Sequence, residues 1–373
     1  MASFNVQKKE KRMVSTNTNR NYGLDALRII SMLMVVALHV LGTGGFEKSD
    51  IVSVSVFSFV IRSFARVAVN CYILISGYFL SQKSFKLSRV TSTYVQTWFY
   101  SASTFLFLVL INGIAFSKGM FVKSLFPFTF KNYWFVTYYS LMLFIAPLLN
   151  SAFNNMSKNK FRLVLLVLVG IFVVWNNVVA AISPISDLDG FSISLFLILY
   201  CVSGYIRKFY IPSGKWYKYL FCYLGITILS IALHYVLLPL GDFYSGFLLL
   251  SYKGIFCVAA SVCLFLTFLN ISIKSKAVQK TILFFAPLTF AVYLIHESLG
   301  FKEYLWEIIN PNTITVTGPL FAVVVILIIL AIFIVCALIE YVRQLVFRVL
   351  KIDNFVKFVS DKVETKIRKM VSR

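Results

Sequence analysis

The sequence is poor in charge, and poorest in acidic residues. Of its 373 residues, 14 are Asp or Glu and 36 are Lys or Arg, whereas 59% are hydrophobic. Soluble globular domains have about 25% charged and about 45–50% apolar residues. The composition therefore excludes an ordinary soluble domain and predicts an all-α protein that crosses a membrane several times.

Several signatures of chemistry are also missing. The six cysteines lie in apolar runs, without the paired spacing of a disulfide framework or a zinc site. The sequence has no Gly-rich phosphate loop, no clustered metal ligands and no serine-nucleophile motif. No signal-peptide cleavage pattern clearly follows the first apolar run. We therefore predict no metal at the functional site and interpret the cysteines as small apolar side chains.

What the sequence has in abundance is long apolar runs. A membrane helix needs about 20 mostly apolar residues. Ten such runs occur, at residues 24–43, 63–81, 94–115, 133–150, 161–182, 190–206, 217–238, 247–270, 282–300 and 317–341. We therefore expect about ten transmembrane helices in one membrane domain, 22–345, between a cytoplasmic basic arm, 1–21, and an amphipathic tail, 346–373.

The basic residues predict how these helices are oriented. Of the 36 Lys and Arg, 28 lie in the arm counted with Arg28, in the tail counted from Arg343 and in every second connection, and only six lie in the opposite connections. Because basic residues are retained on the cytoplasmic side, both termini are expected there. The net charge of +22 is then explained by topology and anionic lipid, so we expect no nucleic-acid partner.

The tail has apolar residues at helical spacing with basic residues between them. This pattern predicts a helix that lies on the inner leaflet. The apolar residues are Ile352, Val356, Val359, Val363, Ile367 and Met370.

The first apolar run contains three ionisable residues, Asp25, Arg28 and His39. The 11 steps from Arg28 to His39 leave the two within about 20° on one helix face, about 16 Å apart along the axis. Asp25 can pair with Arg28 at i, i+3, although both could instead anchor the helix at the inner head groups. Ionisable groups inside a membrane usually face a polar cavity. We therefore predict an outward-facing cavity with a narrow shaft that Arg28 lines.

Other polar residues share the depth of His39. Counted from the cytoplasmic end of each run, Arg66, His234 and His296 reach the same height, about 22–24 Å. His234 is also explained as an interfacial residue beside Pro239. His39 is the best candidate for a general base, because an imidazole can accept a proton from a hydroxyl at neutral pH.

A polar stripe is expected on the second span, where Arg62, Arg66 and Asn70 recur every four residues. A helix with such a stripe does not face lipid on that side. Carboxylates are few and none lies at mid-membrane, so proton coupling through a buried acid is weakly supported.

Five stretches of the sequence follow one another in an order that is typical of a known family. They are YGLDALRIISMLMVVALHV, ARVAVNCYILISGYFL, KSFKLSRV, NYWFVTYYSLMLFIAPLLN and FAVYLIHESLG. Together they resemble the acyltransferase-3 family of integral membrane O-acyltransferases, of the type that acetylates surface polysaccharides. The resemblance covers residues 22–300, and ten helices is the number found in that family.

The resemblance implies transfer of an acyl group, most often acetyl, from cytoplasmic acyl-CoA to a hydroxyl of a surface glycan, an exopolysaccharide or a lipid-linked precursor. It places the protein in the cell membrane of a bacterium. It implies that His39 is the catalytic base and that Arg28 takes part in catalysis and donor binding. It also places Lys86 and Arg89 on the CoA phosphates. Lys86 stands where the family often has Arg and loses the bidentate phosphate geometry.

The acceptor, or the oxyanion that forms on it, is expected at a further set of residues. We expect Arg66 to hold a sugar or diphosphate or to stabilise the oxyanion, and Tyr293 with His296 to orient the acceptor or relay a proton. The full set is Arg66, Asn70, Trp134, Tyr293 and His296. The expected partners are acyl-CoA, a glycan acceptor and membrane lipids.

Two other functions stay open on the sequence alone. A transporter or flippase for a lipid-linked glycan would explain the cavity without acyl transfer, and the lack of an internal repeat speaks only mildly against it. A structural subunit of a glycan assembly complex would leave the shared facing of Arg28 and His39 unexplained.

Overall fold

The computed structural model describes residues 20–113, 115–130, 133–175, 177–178, 192–240, 251–309, 314 and 316–371. Within these ranges the chain forms helices and connections and no β-strand. The basic arm up to residue 19 and the last two residues of the tail lie outside the described residues.

We number the α-helices in chain order. They are α1 (Tyr22–Leu41), α2 (Val52–Ala65), α3 (Ala68–Leu80), α4 (Leu87–Leu110), α5 (Lys118–Leu125), α6 (Trp134–Asn154), α7 (Lys158–Val169), α8 (Ile193–Phe209), α9 (Trp216–Leu237), α10 (Ile255–Asn270), α11 (Lys276–Phe285), α12 (Thr289–His296), α13 (Phe301–Ile309), α14 (Gly318–Val349) and α15 (Ile352–Val371). A π-helical segment, Gly170–Trp175, continues α7, and a 3-10 turn, Ala286–Leu288, joins α11 to α12.

The described helices confirm an all-helical architecture with several spans. Six segments are long and apolar enough to cross a membrane: α1, α2 with α3, α6, α9, α11 with α12, and α14. Helices also overlie the other four predicted runs, but these are shorter or less apolar. The number ten and the orientation of the termini therefore stay predictions.

The second span begins earlier than the sequence predicts. The apolar run at 63–81 is the second half of a longer helical segment that begins at Val52. Four serines and Arg62 lower the hydropathy of α2, which is why a scan for apolar runs misses its first part. The helix is interrupted after Ala65, where the carbonyl of Phe64 accepts a hydrogen bond from the hydroxyl of Tyr223 (2.9 Å). A side chain inserted into the helical ladder is a known cause of such interruptions.

α1 is the central helix. It contacts α2, α3, α10, α11, α12 and α14, and 12 of its 20 residues are buried. Asn21 caps its N-terminus, because the side-chain oxygen of Asn21 accepts a hydrogen bond from the N–H of Leu24 (2.9 Å). The carboxylate of Asp25, in the first turn, interacts favourably with the positive end of the helix dipole. Because protein surrounds α1, it can hold ionisable residues without exposing them to lipid.

α3 and α8 approach each other closely at Gly77. A Cβ atom on Gly77 would lie 2.1 Å from Oγ of Ser203 and 3.0 Å from Cα of Tyr200. Small residues permit such contacts between membrane helices. We expect Gly77→Val to push the helices apart and to destabilise the protein by about 1–3 kcal/mol, as overpacking does. The measurement is the thermal midpoint in detergent.

The matched control for this change is Gly225→Val in α9. A Cβ atom there meets nothing within 4 Å, so the same loss of glycine occurs without a clash. Equal shifts of the thermal midpoint in the two variants would contradict the packing argument.

The C-terminal segment forms the helix α15, as the tail pattern predicts. It packs on the first turn of α4, where Oγ of Ser360 lies 2.6 Å from Oγ1 of Thr91 and the N–H of Leu87 donates to the carboxylate of Glu364 (2.8 Å). Much of its apolar side is exposed. Its placement on the inner leaflet stays a prediction.

Candidate active site

Two histidines from distant parts of the chain meet near the end of α1. Nδ1 of His39 lies 2.8 Å from Nε2 of His296. His39 is in the last turn of α1 and His296 is the last residue of α12. His296 is fully buried, and its Nδ1 contacts the carbonyl oxygen of Val292. The pair is held by two helices that pack side by side.

These contacts determine where the ring protons lie. A carbonyl oxygen can only accept, so Nδ1 of His296 carries the proton and its Nε2 has a lone pair when the ring is neutral. Nδ1 of His39 must then donate its proton to Nε2 of His296. Nε2 of His39 is left unprotonated, which is the form that a general base requires.

Glu297 supplies a carboxylate to the same cluster. Its Oε1 lies 3.3 Å from Nδ1 of His39 and has no hydrogen-bond partner among the described residues. A negative charge at this position stabilises the imidazolium that forms when His39 accepts a proton. The sequence analysis missed Glu297, and its position directly after His296 is the signal that would have found it.

His39 opens onto a cavity between the helices, which we call the His39 cavity. Its volume is about 110 Å³. Trp134 and Tyr293, both expected near the acceptor, line it. Its complete lining is Met32, Val35, Leu38, His39, Val69, Tyr72, Trp134, Phe135, Tyr252, Phe290 and Tyr293. The walls are mainly apolar and aromatic, so the polar groups of His39 and the tyrosines would orient whatever binds there.

A second cavity, which we call the Arg28 cavity, lies toward the other end of α1. Its volume is about 250 Å³, and Arg28, Ser76 and Thr93 supply polar groups to its wall. Nη1 of Arg28 lies 3.2 Å from the carboxylate of Asp25, so the expected i, i+3 pair forms. Asp25 also binds Arg20 (2.6 Å), which leaves the carboxylate shared between two cations.

The two cavities adjoin each other. Tyr72, Phe135 and Phe290 belong to the lining of both. The hydroxyl of Tyr72 donates to the backbone carbonyl of Arg28 (2.9 Å), which fixes the Tyr72 ring in this shared wall. Arg28 and His39, placed on one face of α1 by helical geometry, thus open into neighbouring spaces that three aromatic side chains separate.

Arg66 and Asn70 do not belong to the lining of the His39 cavity, so their expected role toward the acceptor stays a prediction. The guanidinium carbon of Arg66 is 5.8 Å from the ring centre of Tyr252, and the Asn70 amide donates to the Tyr252 carbonyl (3.0 Å) and to Sγ of Cys257 (3.6 Å). At these positions the predicted stripe faces α10 rather than α1. Both side chains therefore support Tyr252, which does line the cavity.

The third histidine is separate from the cluster. The ring of His234 stacks on Phe59, with 4.3 Å between ring centres. This packing agrees with the structural interpretation of His234 rather than with a catalytic one.

Lys86 and Arg89 lie at the beginning of α4, at the same end of the protein as Arg28. Arg89 donates to the carbonyl of Ser84 (2.8 Å), and both basic residues line a small pocket of about 20 Å³ between α3, α4 and α6. Thr93, one turn along α4 from Arg89, lines the Arg28 cavity. Lys86 and Arg89, which we call the basic loop, therefore lie beside the Arg28 cavity along α4.

The histidine cluster also has the composition of a metal site. One ligand atom from each of His39, His296 and Glu297 lies within 4.8 Å of the others. The sequence predicts no metal because these residues do not form a local motif: α1 and α12 bring them together only in the fold.

For a reaction in which His39 is the general base, we expect Glu297→Gln to lower kcat by about 10–100-fold, because the charge that stabilises the imidazolium is lost. KM for a donor bound at Arg28 should change little. Steady-state kinetics of purified enzyme measures both. Glu307→Gln, which changes an exposed carboxylate of α13, is the control, and an unchanged kcat in Glu297→Gln would remove Glu297 from the mechanism.

Comparison with known proteins identifies the family. A family model described as an acyltransferase domain matches residues 21–340. Comparisons with curated proteins and with solved structures found no match. The family model covers most of the chain, including α1 with Arg28 and His39 and α12 with His296. The chain therefore belongs to the acyltransferase-3 family and is a multi-pass membrane acyltransferase.

Proposed function

We propose that this enzyme transfers an acetyl group from cytoplasmic acetyl-CoA to a hydroxyl of a cell-surface glycan or its lipid-linked precursor. The observation that carries the proposal is the imidazole of His39, oriented as a base by His296 and Val292 and open to one of two adjoining cavities. A donor made inside and an acceptor displayed outside require a path through the membrane. This assignment includes ten spans with both termini in the cytoplasm of a bacterial cell, and α15 on the inner leaflet.

The donor would bind at the basic end of the protein. Lys86 and Arg89 are available for the CoA phosphates, and Arg28 for the groups that enter its cavity. The Arg28 cavity of about 250 Å³ is too small for a whole CoA molecule. The nucleotide therefore stays outside while the pantetheine arm carries the thioester toward Tyr72, Phe135 and Phe290.

The reaction follows from the protonation state of His39. Its Nε2 takes the proton of the acceptor hydroxyl as the oxygen attacks the thioester carbonyl. The tetrahedral intermediate collapses with cleavage of the C–S bond, and the imidazolium returns the proton to the CoA thiolate. The carbonyl of Val292 and the ring of His296 hold His39 in the required tautomer, and Glu297 stabilises its charged form.

The size of the His39 cavity favours a short acyl group. An apolar cavity of about 150 Å³ is known to hold a molecule of the size of benzene. The His39 cavity, at about 110 Å³, accommodates an acetyl group and excludes a long acyl chain. Its apolar walls suit the methyl group, and the polar groups near His39 suit the carbonyl.

A transporter of lipid-linked glycans is the second candidate, and the adjoining cavities alone fit it. Transport does not need a base oriented by two successive hydrogen bonds, which is why the acyltransferase is preferred. Mass spectrometry of surface glycans from wild-type and deletion cells separates the two. We expect the deletion to remove one acyl group per modified repeat and to leave the polymer at the surface. Loss of the polymer itself would favour transport, and unchanged acylation would overturn the proposal.

The tail helix is expected to support donor binding. The hydrogen bond from the Leu87 N–H, and then the one from Arg368, lowers the pKa of the Glu364 carboxyl. The docked tail is therefore stabilised above the ordinary pKa of a carboxyl and weakened as the pH falls through the lowered value. Leu87 directly follows Lys86, so loss of this hydrogen bond should disturb the position of Lys86. Glu364→Gln should therefore raise KM for acyl-CoA about three- to tenfold without changing kcat, since a lost helix cap has an effect of this size.

Glu307→Gln in α13 is the control for this kinetic measurement, since Glu307 is exposed and distant in sequence from the basic loop. If both variants have the wild-type KM, the tail has no influence on the donor.

A further inference from the structure

The cluster at the end of α1 has properties that proton transfer alone does not require. Oε1 of Glu297 is buried yet has no hydrogen-bond partner among the described residues. Nε2 of His296 and Nδ1 of His39 point at each other at 2.8 Å, and the carboxylate is 3.3 Å from the latter. Two imidazole nitrogens and one carboxylate oxygen thus converge on one small volume.

The ligand atoms are also oriented as in protein metal sites. A histidine that binds a metal through one ring nitrogen usually donates the other N–H to a carbonyl or a carboxylate, which fixes the tautomer. His296 does this through Nδ1 and the carbonyl of Val292. Its Nε2 lone pair is therefore directed at the cluster before any ion arrives.

Two of the three distances between ligand atoms need only a small adjustment, and the third, between His296 and Glu297, is within 4.8 Å. Around a tetrahedral Zn²⁺, with Zn–N of about 2.0–2.1 Å, neighbouring ligand atoms lie about 3.3 Å apart. The distance from Nδ1 of His39 to Oε1 of Glu297 is already 3.3 Å, and the distance from Nδ1 of His39 to Nε2 of His296 is 2.8 Å. An ion that replaces the shared proton would increase the distance between the two ring nitrogens by roughly 0.5 Å.

The electrostatic surroundings permit a cation. The positive charges of Arg62 and Lys302 both repel a positive charge at His39, but each is paired with a carboxylate. Arg62 pairs with Glu47, and Lys302 pairs with Glu303 at 3.8 Å. The side chains of His39 and Glu297 are 23% and 18% exposed, so an ion can reach the cluster. Two imidazoles with one carboxylate suit Zn²⁺ and its neighbours in the first transition series, whereas Mg²⁺ and Ca²⁺ prefer all-oxygen sites.

We propose that His39, His296 and Glu297 form a binding site for a divalent transition-metal ion, with Zn²⁺ as the probe, and that the bound ion switches the acyltransferase off. The inhibition, but not the binding, rests on the proposed function. A metal on Nδ1 of His39 leaves the single ring proton on Nε2, the atom that must accept the acceptor's proton. The ion therefore removes the base without blocking either cavity.

Direct binding is tested first, without any substrate. Purified enzyme without a polyhistidine tag is titrated with Zn²⁺ against a chromophoric chelator, and with Co²⁺ for the visible absorption of a tetrahedral complex. We expect one ion per chain and no displacement by excess Mg²⁺. His296→Gln should weaken binding by at least about 100-fold, more than the loss of an outer-shell partner does.

His234→Gln is the matched control, because it removes the only other histidine, which stacks on Phe59 outside the cluster. It should bind Zn²⁺ as the wild type does. Equal affinity in His234→Gln and His296→Gln, or a stoichiometry near zero in the wild type, overturns the site.

A second measurement uses only the wild-type chain, in case His296→Gln does not fold. Diethyl pyrocarbonate modifies accessible imidazoles, and peptide mass spectrometry locates the adducts. Zn²⁺ should protect His39 and leave the modification of His234 unchanged. Equal modification of His39 with and without Zn²⁺ would refute the site.

Inhibition is then measured as the initial rate of acyl transfer at increasing metal occupancy. The rate should fall in proportion to occupancy and recover fully with EDTA. If Zn²⁺ binds at His39 but the rate is unaffected, the inhibitory role fails while the metal site stands. If metal-free enzyme transfers no acyl group at all, the proposed function fails independently of the metal site.

Discussion

His39→Gln is expected to lower the rate of acyl transfer by about 10²–10⁴-fold, the usual contribution of a positioned general base. Glutamine keeps a polar group near His296 but cannot take a proton at neutral pH. The loss should appear in kcat, because the proposed donor site lies at the other end of α1. The measurement is release of CoA together with acylation of the acceptor in purified, membrane-reconstituted enzyme.

The control is again His234→Gln, which removes an imidazole that stacks on Phe59. Cells that carry only His39→Gln should still make and export the glycan, but without its acyl groups. If that variant keeps full acylation, His39 is not the base and the assignment of the reaction centre is wrong.

Ser76→Trp is expected to abolish acyl transfer by filling a cavity rather than by removing the base. Ser76 lines the Arg28 cavity, and an indole in its place fills much of the space through which the thioester would pass. Displacement of a reacting group by about 1 Å can cost about 100-fold in rate, so a filled cavity should cost at least that much. Every residue of the histidine cluster stays intact in this variant.

The control for this change is Thr281→Trp on the exposed side of α11, which adds the same side chain without entering a cavity. Gel filtration and the thermal midpoint show whether each variant folds. If Ser76→Trp keeps more than half of the wild-type rate, the donor takes another route. The adjoining cavities would then no longer support the proposed donor path.

Part of this site follows from local sequence. The facing of Arg28 and His39 depends only on helical geometry over 11 residues, and the structure places both on the cavity side of α1. The pair of Asp25 with Arg28 is equally local. Such features can be predicted because one helix contains all the atoms involved.

The remaining features depend on which helices pack together. The four-residue spacing predicts that Arg66 and Asn70 share one helix face, but it does not show that this face is turned toward α10. His296 shares the depth of His39, whereas the contact between the rings and the approach of Glu297 require α12 to lie against α1. A single sequence does not specify that packing.

The partition formed by Tyr72, Phe135 and Phe290 has a consequence for the cell as well as for catalysis. A continuous wet channel between the two sides of an energised membrane would let protons and ions leak and drain the gradient. The proposed transfer of an acyl group across the bilayer therefore requires a barrier that opens for one narrow, neutral chain and closes behind it. The three aromatic rings that line both cavities are placed to form such a barrier, so that the proposed transfer leaves the membrane potential intact.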